Sequence, residues 1–164
     1  MAYILNQLAG EVQRRLDAEG SPQPPRFLLV HGLQRARDLR QEDAFGGGFA
    51  AFSDDPAPAA NPAQHFATIL RDGPEVGVHS IVWCDTVTNL NRTLERRLLR
   101  EFALRVAFQM SAEDSSTLLD SPVASKVGPN RAYLYSEDEG RLEKFRPYGV
   151  PPTAWLSVLP GAPS

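Results

Sequence analysis

The chain has a single cysteine, Cys84, so it cannot form an internal disulfide, and one thiol fits a reducing compartment. No apolar run approaches the roughly 20 residues needed to cross a bilayer. No membrane contact is therefore expected of this segment, and a cytoplasmic location is. The opening stretch, MAYILNQLAGEVQRRLDAEG, lacks a basic leader region and a small-residue cleavage site, and is expected to be a helix rather than a secretory signal. Charge of one sign is also scarce. A net charge of -3 argues against a free-standing, strongly basic nucleic-acid binder, although it leaves room for a local basic patch. There is no phosphate loop: Gly46-Gly47-Gly48 has no strand before it and no lysine-serine or lysine-threonine after it, so it reads as turn chemistry. There is no Gly-x-Ser-x-Gly elbow to anchor a hydrolase serine. The three histidines, His31, His65 and His79, lie on different elements, and no ligand spacing supports a metal. His79 and Cys84 fall on opposite faces of one strand, because strand side chains alternate. Burial or local satisfaction is the better reading of all three.

What is present is a chain of 164 residues, long enough for one core, with 42% hydrophobic residues, which excludes disorder throughout. Ile4, Leu5, Leu8, Val12 and Leu16 recur at helical spacing, predicting a helix over 2–19 with Gly20 as its stop. Ser21 to Pro25 is a stiff connection into a strand, Phe27-Leu28-Leu29-Val30, that closes on His31-Gly32. A short helix is expected over 34–41, and an exposed, flexible loop over 42–60, where glycine, proline and acid mix. Asn61-Pro62 is a helix-start signal, with Asn61 as N-cap, for a helix to about Arg71. GVHSIVWCDT (77–86) reads as a second strand and 104–109 as a third. Ser111 caps the next helix, with Asp114 at the capping-box position, and 122–127 is a helical turn. Segments 132–135 and 142–145 form a hairpin around Glu139-Gly140. The proline-rich tail, 151–164, is expected to be ordered only where Trp155 or Leu156 packs. Helices alternating with buried-looking strands give an α/β fold, with a mainly parallel sheet and a late antiparallel edge.

Between the second and third strands, a basic amphipathic helix is expected over 91–103. It would set Arg92, Arg96 and Arg100 on one face, with Arg97 beside them and Glu95 and Glu101 offsetting part of the charge. Such a strip is either a solvated helix face or a phosphate-contacting surface, and periodicity alone favours the solvated face.

The order from Gly77 onward carries more. Gly77-Val78-His79 opens a strand, and Arg105-Val106-Ala107-Phe108-Gln109 forms the next. A serine-rich helix runs into Leu119-Asp120-Ser121-Pro122, followed by Lys126-Val127-Gly128 and a strand ending in Leu134-Tyr135. Over 77–135 this series resembles the C-terminal half of the FtsK/SpoIIIE-type DNA translocase motor. The resemblance implies that 1–150 is a partial motor domain with an incomplete RecA-like, P-loop NTPase sheet flanked by helices. It places 26–32 at the Walker B strand, where the family closes on Asp-Glu to hold magnesium and orient water. This chain has His31 and Gly32 there. Neutral histidine is a poor magnesium ligand and glycine offers no base. The family's polar sensor, usually Thr-Gln, corresponds to about Cys84-Asp85, with Thr86 next, which also departs from the pattern.

The resemblance further implies that the Walker A half belongs elsewhere, and that its strand would lie between the second and third strands of this chain. ATP and Mg2+ would then be cofactors of a complete motor only. None is expected for this chain alone, and neither is ATP hydrolysis. Double-stranded DNA is the implied partner, reached through Arg92, Arg96, Arg97 and Arg100 near a ring's pore, together with a homo-oligomeric ring or the missing half. The competing expectation is a non-catalytic ring-assembly or partner-binding domain with a degenerate ATPase fold. An unrelated α/β binding domain is the third.

Overall fold

The structure, a computed structural model, describes residues 1–18, 23–40 and 61–156. The Gly20 stop, the start of the proline connection, the 42–60 loop with its three glycines, and the end of the tail lie outside the described residues. The chain divides into two compact units, Met1–Phe102 and Ala103–Ser164.

In the first unit, α1 (Ala2–Asp17) buries Leu5, Ala9 and Val12 on the stripe that the apolar spacing predicts. α2 (Pro62–Asp72) starts where expected: the Asn61 side chain accepts from the Ala63 amide at 3.0 Å and Pro62 occupies the first turn. It packs Phe66, Ile69 and Leu70 against α1, and complete burial of such side chains stabilises by about 1.5–3 kcal/mol each. Gly73 ends α2 at a point where a Cβ would lie 2.3 Å from the Ile69 carbonyl oxygen and 2.7 Å from that of Val78, so only glycine lets the helix end meet the next strand.

β1 (Arg26–His31) pairs parallel with β2 (Val78–Trp83), Arg26 opposite Val78 and His31 opposite Trp83. The face carrying Val30 and Val78 is buried in the core shared with α1 and α2. The other face carries Phe27, Leu29, Ile81 and Trp83, all well exposed. Arg15 fastens this arrangement. Its guanidinium, buried on the apolar side of α1, donates to the Pro24 and Val76 carbonyls at 3.0 Å each and to Glu11 at 2.8 Å.

Two expected helices take other forms. The helix over 34–41 is a pair of 3-10 turns, Leu33–Arg35 and Arg37–Leu39, interrupted at Ala36 (φ -78°, ψ 79°). The helix over 91–103 is two pieces, α3 (Val87–Thr93) and α4 (Arg96–Leu99). Thr86 caps α3 earlier than the apolar pattern suggests, accepting from the Asn89 amide at 3.2 Å. Leu94 then turns extended (φ -111°, ψ 133°) with its side chain buried in the core, and Glu95 stays extended before α4 begins. A buried leucine anchor outweighs helix continuity here.

In the second unit, β3 (Leu104–Ala107), β4 (Ala132–Ser136) and β5 (Arg141–Phe145) form an antiparallel sheet in that order. The α/β class holds and the late hairpin is present. Among the described residues the parallel pairing expected to dominate is that of β1 with β2, and β3 joins the hairpin. Its ladder is extended by the Glu137 amide donating to the Ala103 carbonyl at 2.8 Å and reinforced where Arg105, ion-paired to Glu137, lies 5.3 Å from the Tyr135 ring centre. α5 (Ala112–Leu119) begins at Ser111, whose hydroxyl accepts from the Asp114 amide at 3.0 Å, and ends at Asp120 in the left-handed region (φ 55°). Its buried Ser115 accepts from the Ala124 amide at 3.1 Å and donates to the Ser121 carbonyl, tying α5 to the turn Pro122–Lys126. Beyond, α6 (Thr153–Leu156) is one short turn with Trp155 exposed.

Candidate functional site

The carboxyl ends of adjacent parallel strands are where α/β sheets place their chemistry. β1 and β2 bring two sequence-predicted pairs together there: His31-Gly32 at one strand end, and Asp85-Thr86 just past the other. The Gly32 amide donates to the Trp83 carbonyl at 3.1 Å, and the His31 ring stacks on Trp83 with centroids 4.8 Å apart and planes 11° apart. His31 is thus committed to an aromatic contact on the exposed face. Gly32 has φ 84°, a left-handed conformation that opens the following 3-10 turn. A glutamate would be strained at that backbone, so the position differs from an acid-bearing strand end in its chain path as well as in its side chain.

Asp85 is the carboxylate of this corner. It accepts from the Asn89 side-chain amide at 2.9 Å and from the Thr86 hydroxyl at 3.4 Å. The Asn89 bond, first among several, holds its carboxyl below the usual range. These bonds fall on Oδ1 and tie Asp85 to the first turn of α3. Cys84 lies partly buried beside it, with Sγ 3.6 Å from the Thr86 carbonyl and 3.8 Å from Asp85. Burial pushes its thiol up, which keeps it protonated and a weak nucleophile.

The corner holds one carboxylate, with its bonds on Oδ1, and among the described residues no group of three or more His, Cys, Asp or Glu could hold a metal ion. The corner positions backbone and stacks an aromatic pair beside one exposed carboxylate.

The second predicted set lies on the segment that leaves this corner. Arg92 sits in the last turn of α3, Arg96 and Arg97 open α4, and Arg100 is its C-cap. The break at Leu94-Glu95 divides the expected continuous strip into Arg92 and a compact group of three. All four are exposed, while Leu94, Leu98 and Phe102 hold the segment to the core. Arg97 pairs with Glu95, and no ion pair to a described residue engages Arg92, Arg96 or Arg100. Pattern reading missed Arg15, whose only signal was its position on the apolar stripe of α1, three residues after Val12.

No family model matches the chain, and no curated protein does. Among solved structures, the cytoplasmic domain of the Thermomonospora curvata Type VII Secretion ATPase EccC is similar over 85% of this chain, with 20% identity and a TM-score of 0.47. The match spans 14% of that structure's chain. At that score the likeness carries no argument about what this chain does.

Proposed function

We propose that the chain is a piece of an FtsK/SpoIIIE-like ring motor that handles double-stranded DNA in the cytoplasm. In this reading it supplies phosphate-contacting and assembly surfaces and hydrolyses no ATP by itself. One observation carries it: a parallel strand pair whose carboxyl ends hold His31-Gly32 and Asp85, bonded to Asn89, leads directly into an exposed segment bearing Arg92, Arg96, Arg97 and Arg100. Guanidiniums held out from a core-anchored segment neutralise phosphates without reading bases. The resemblance over 77–135 supplies the motor context.

The exposed face of β1 and β2 favours a second role for the same body, ring assembly or partner binding without catalysis. Parallel sheets are covered on both faces, and this one presents Phe27, Leu29, Ile81 and Trp83 on its second face. The two roles are compatible within one ring.

The test combines two assays on the full chain. Magnesium-dependent phosphate release from ATP is expected not to exceed a no-protein blank. Two unrelated duplexes of equal length are expected to bind with equal affinity in fluorescence anisotropy. Phosphate release that disappears on Asp85→Ala, or binding that prefers one duplex, would overturn the reading.

A further inference from the structure

An open cleft of about 780 Å³ runs between α1 and β1, walled by Tyr3, Ile4, Gln7 and Gly10 and floored by Phe27 and Leu28. It shares only Phe27 with the exposed face described above. The β1 side of the cleft is a strand edge that no described residue pairs. The Arg26 amide donates to Gly77 at 2.9 Å and the Gly32 amide to Trp83 at 3.1 Å, so the even-numbered residues of β1 turn their backbone toward β2. By the alternation of a strand, Phe27, Leu29 and His31 turn their N–H and C=O groups the other way. No described residue pairs with them there. A row of alternating donors and acceptors calls for extended backbone, since a helix has already spent its own groups.

One end of the cleft is cationic. Arg14 and Arg26 hold side chains that are 54% and 56% exposed, Arg15 lies buried beneath them, and the three share the single carboxylate of Glu11. Hydrogen bonds from Arg14 and then Arg15 pull that carboxyl down to about 2, so it stays ionised, and the cluster keeps a net positive charge. The floor is apolar, and the far wall mixes Tyr3 and Ile4 with the amides of Asn6 and Gln7. Gly10 leaves the middle open: a Cβ there would meet nothing within 4 Å.

We propose that this cleft docks an extended segment of another polypeptide, which adds to the free edge of β1 and sets an aspartate or glutamate against Arg14 and Arg26. Its side chains would alternate, one set lying on Phe27 at the exposed face and the other meeting α1 at Ile4. This surface is separate from the arginine segment of α3 and α4, so the DNA reading can fail without it, and the reverse.

The experiment pans a phage-displayed random peptide library on the full chain. Enriched peptides are expected to alternate apolar residues and to carry an acid at one end. Synthesised, they should lose binding to Gly10→Gln, whose side chain fills the cleft, while that variant melts at the same temperature or higher because glycine disfavours a helix interior. Arg26→Gln, at an exposed position, should weaken them about tenfold, the loss of one charge-assisted hydrogen bond. Failure of any peptide to enrich would overturn the proposal, as would unchanged binding to Gly10→Gln. A dimer of the native chain that Gly10→Gln dissolves in sedimentation would overturn it too, by assigning the cleft to a second copy.

Discussion

The first unit pairs two strands in parallel, the second pairs three antiparallel, and their exposed faces differ accordingly. On β1 and β2 the outer face is almost wholly apolar and aromatic, with His31 stacked on Trp83 and His79 tilted against Phe27 at 5.6 Å. On β3 to β5 the exposed Leu104 and Val106 share their face with Ser136, Arg141 and Glu143, and the last two form an ion pair at 3.2 Å. An antiparallel sheet with one wet, mixed face is a self-sufficient design, whereas a parallel pair with one dry-type face is half of one. The first unit is therefore the one that leaves an apolar sheet face exposed. Inside its apolar core, Arg15 clamps α1 to the chain entering β1 and to the turn before β2.

If clamps order the first unit, breaking one should cost more than any change at its bare face. Arg15→Leu leaves the Pro24 and Val76 carbonyls without their donor. It should destabilise by about 3 kcal/mol in urea unfolding, with hydrogen exchange rising in α1, β1 and β2. The counterpart in the second unit is Ser115→Ala, which frees the Ala124 amide inside a small core. It should cost about 1–2 kcal/mol, with exchange rising in α5 and the following turn. Equal exchange changes in both units from either variant would erase the contrast between them.

Glu11 sharpens the comparison through pH. Its folded carboxyl lies at about 2 against an ordinary 4.5, so it contributes stability that is present above pH 4.5 and is lost as the pH falls toward 2. Glu11→Gln should be less stable than the native chain at pH 7, and the two should converge by pH 2 in thermal melts. The smallest effect is expected from Leu29→Lys on the bare face, where Leu29 is 71% exposed: less than about 0.5 kcal/mol. A larger loss would mean that this face is already covered within the folded chain.

Local signals made much of this legible from the sequence. Asn61-Pro62 and Ser111 cap the helices they were expected to cap, and the apolar stripe of α1 and the hairpin of β4 and β5 follow their patterns. What escaped depended on long-range packing. Leu94 looks like one more helical leucine until the core claims it and breaks the helix, which splits the arginine strip. β3 alternates in a way that fits either kind of sheet, and its direction is set by its pairing with β4, Leu104 opposite Ser136 and Ala107 opposite Tyr133. Within the candidate site, the residue types at His31-Gly32 were visible, but the left-handed turn at Gly32 and the bonding of Asp85 to Asn89 were not, because both are properties of the folded chain path. Arg15 hid because an arginine on an apolar stripe is ordinarily a boundary residue, and its partners Pro24 and Val76 lie outside its own helix.

The central claim is that the segment leaving the β2 strand end touches DNA phosphates. Its most direct test is the salt dependence of duplex binding by fluorescence anisotropy, for the native chain and for Arg92→Ala/Arg96→Ala/Arg100→Ala. Each phosphate contact contributes about -0.9 to the slope of log K against log salt. The account predicts that the native chain binds with a steep negative slope and that the triple variant binds more weakly, with a slope shallower by roughly 3. Equal affinity and equal slope for the two proteins, or no binding by the native chain at low salt, would contradict it.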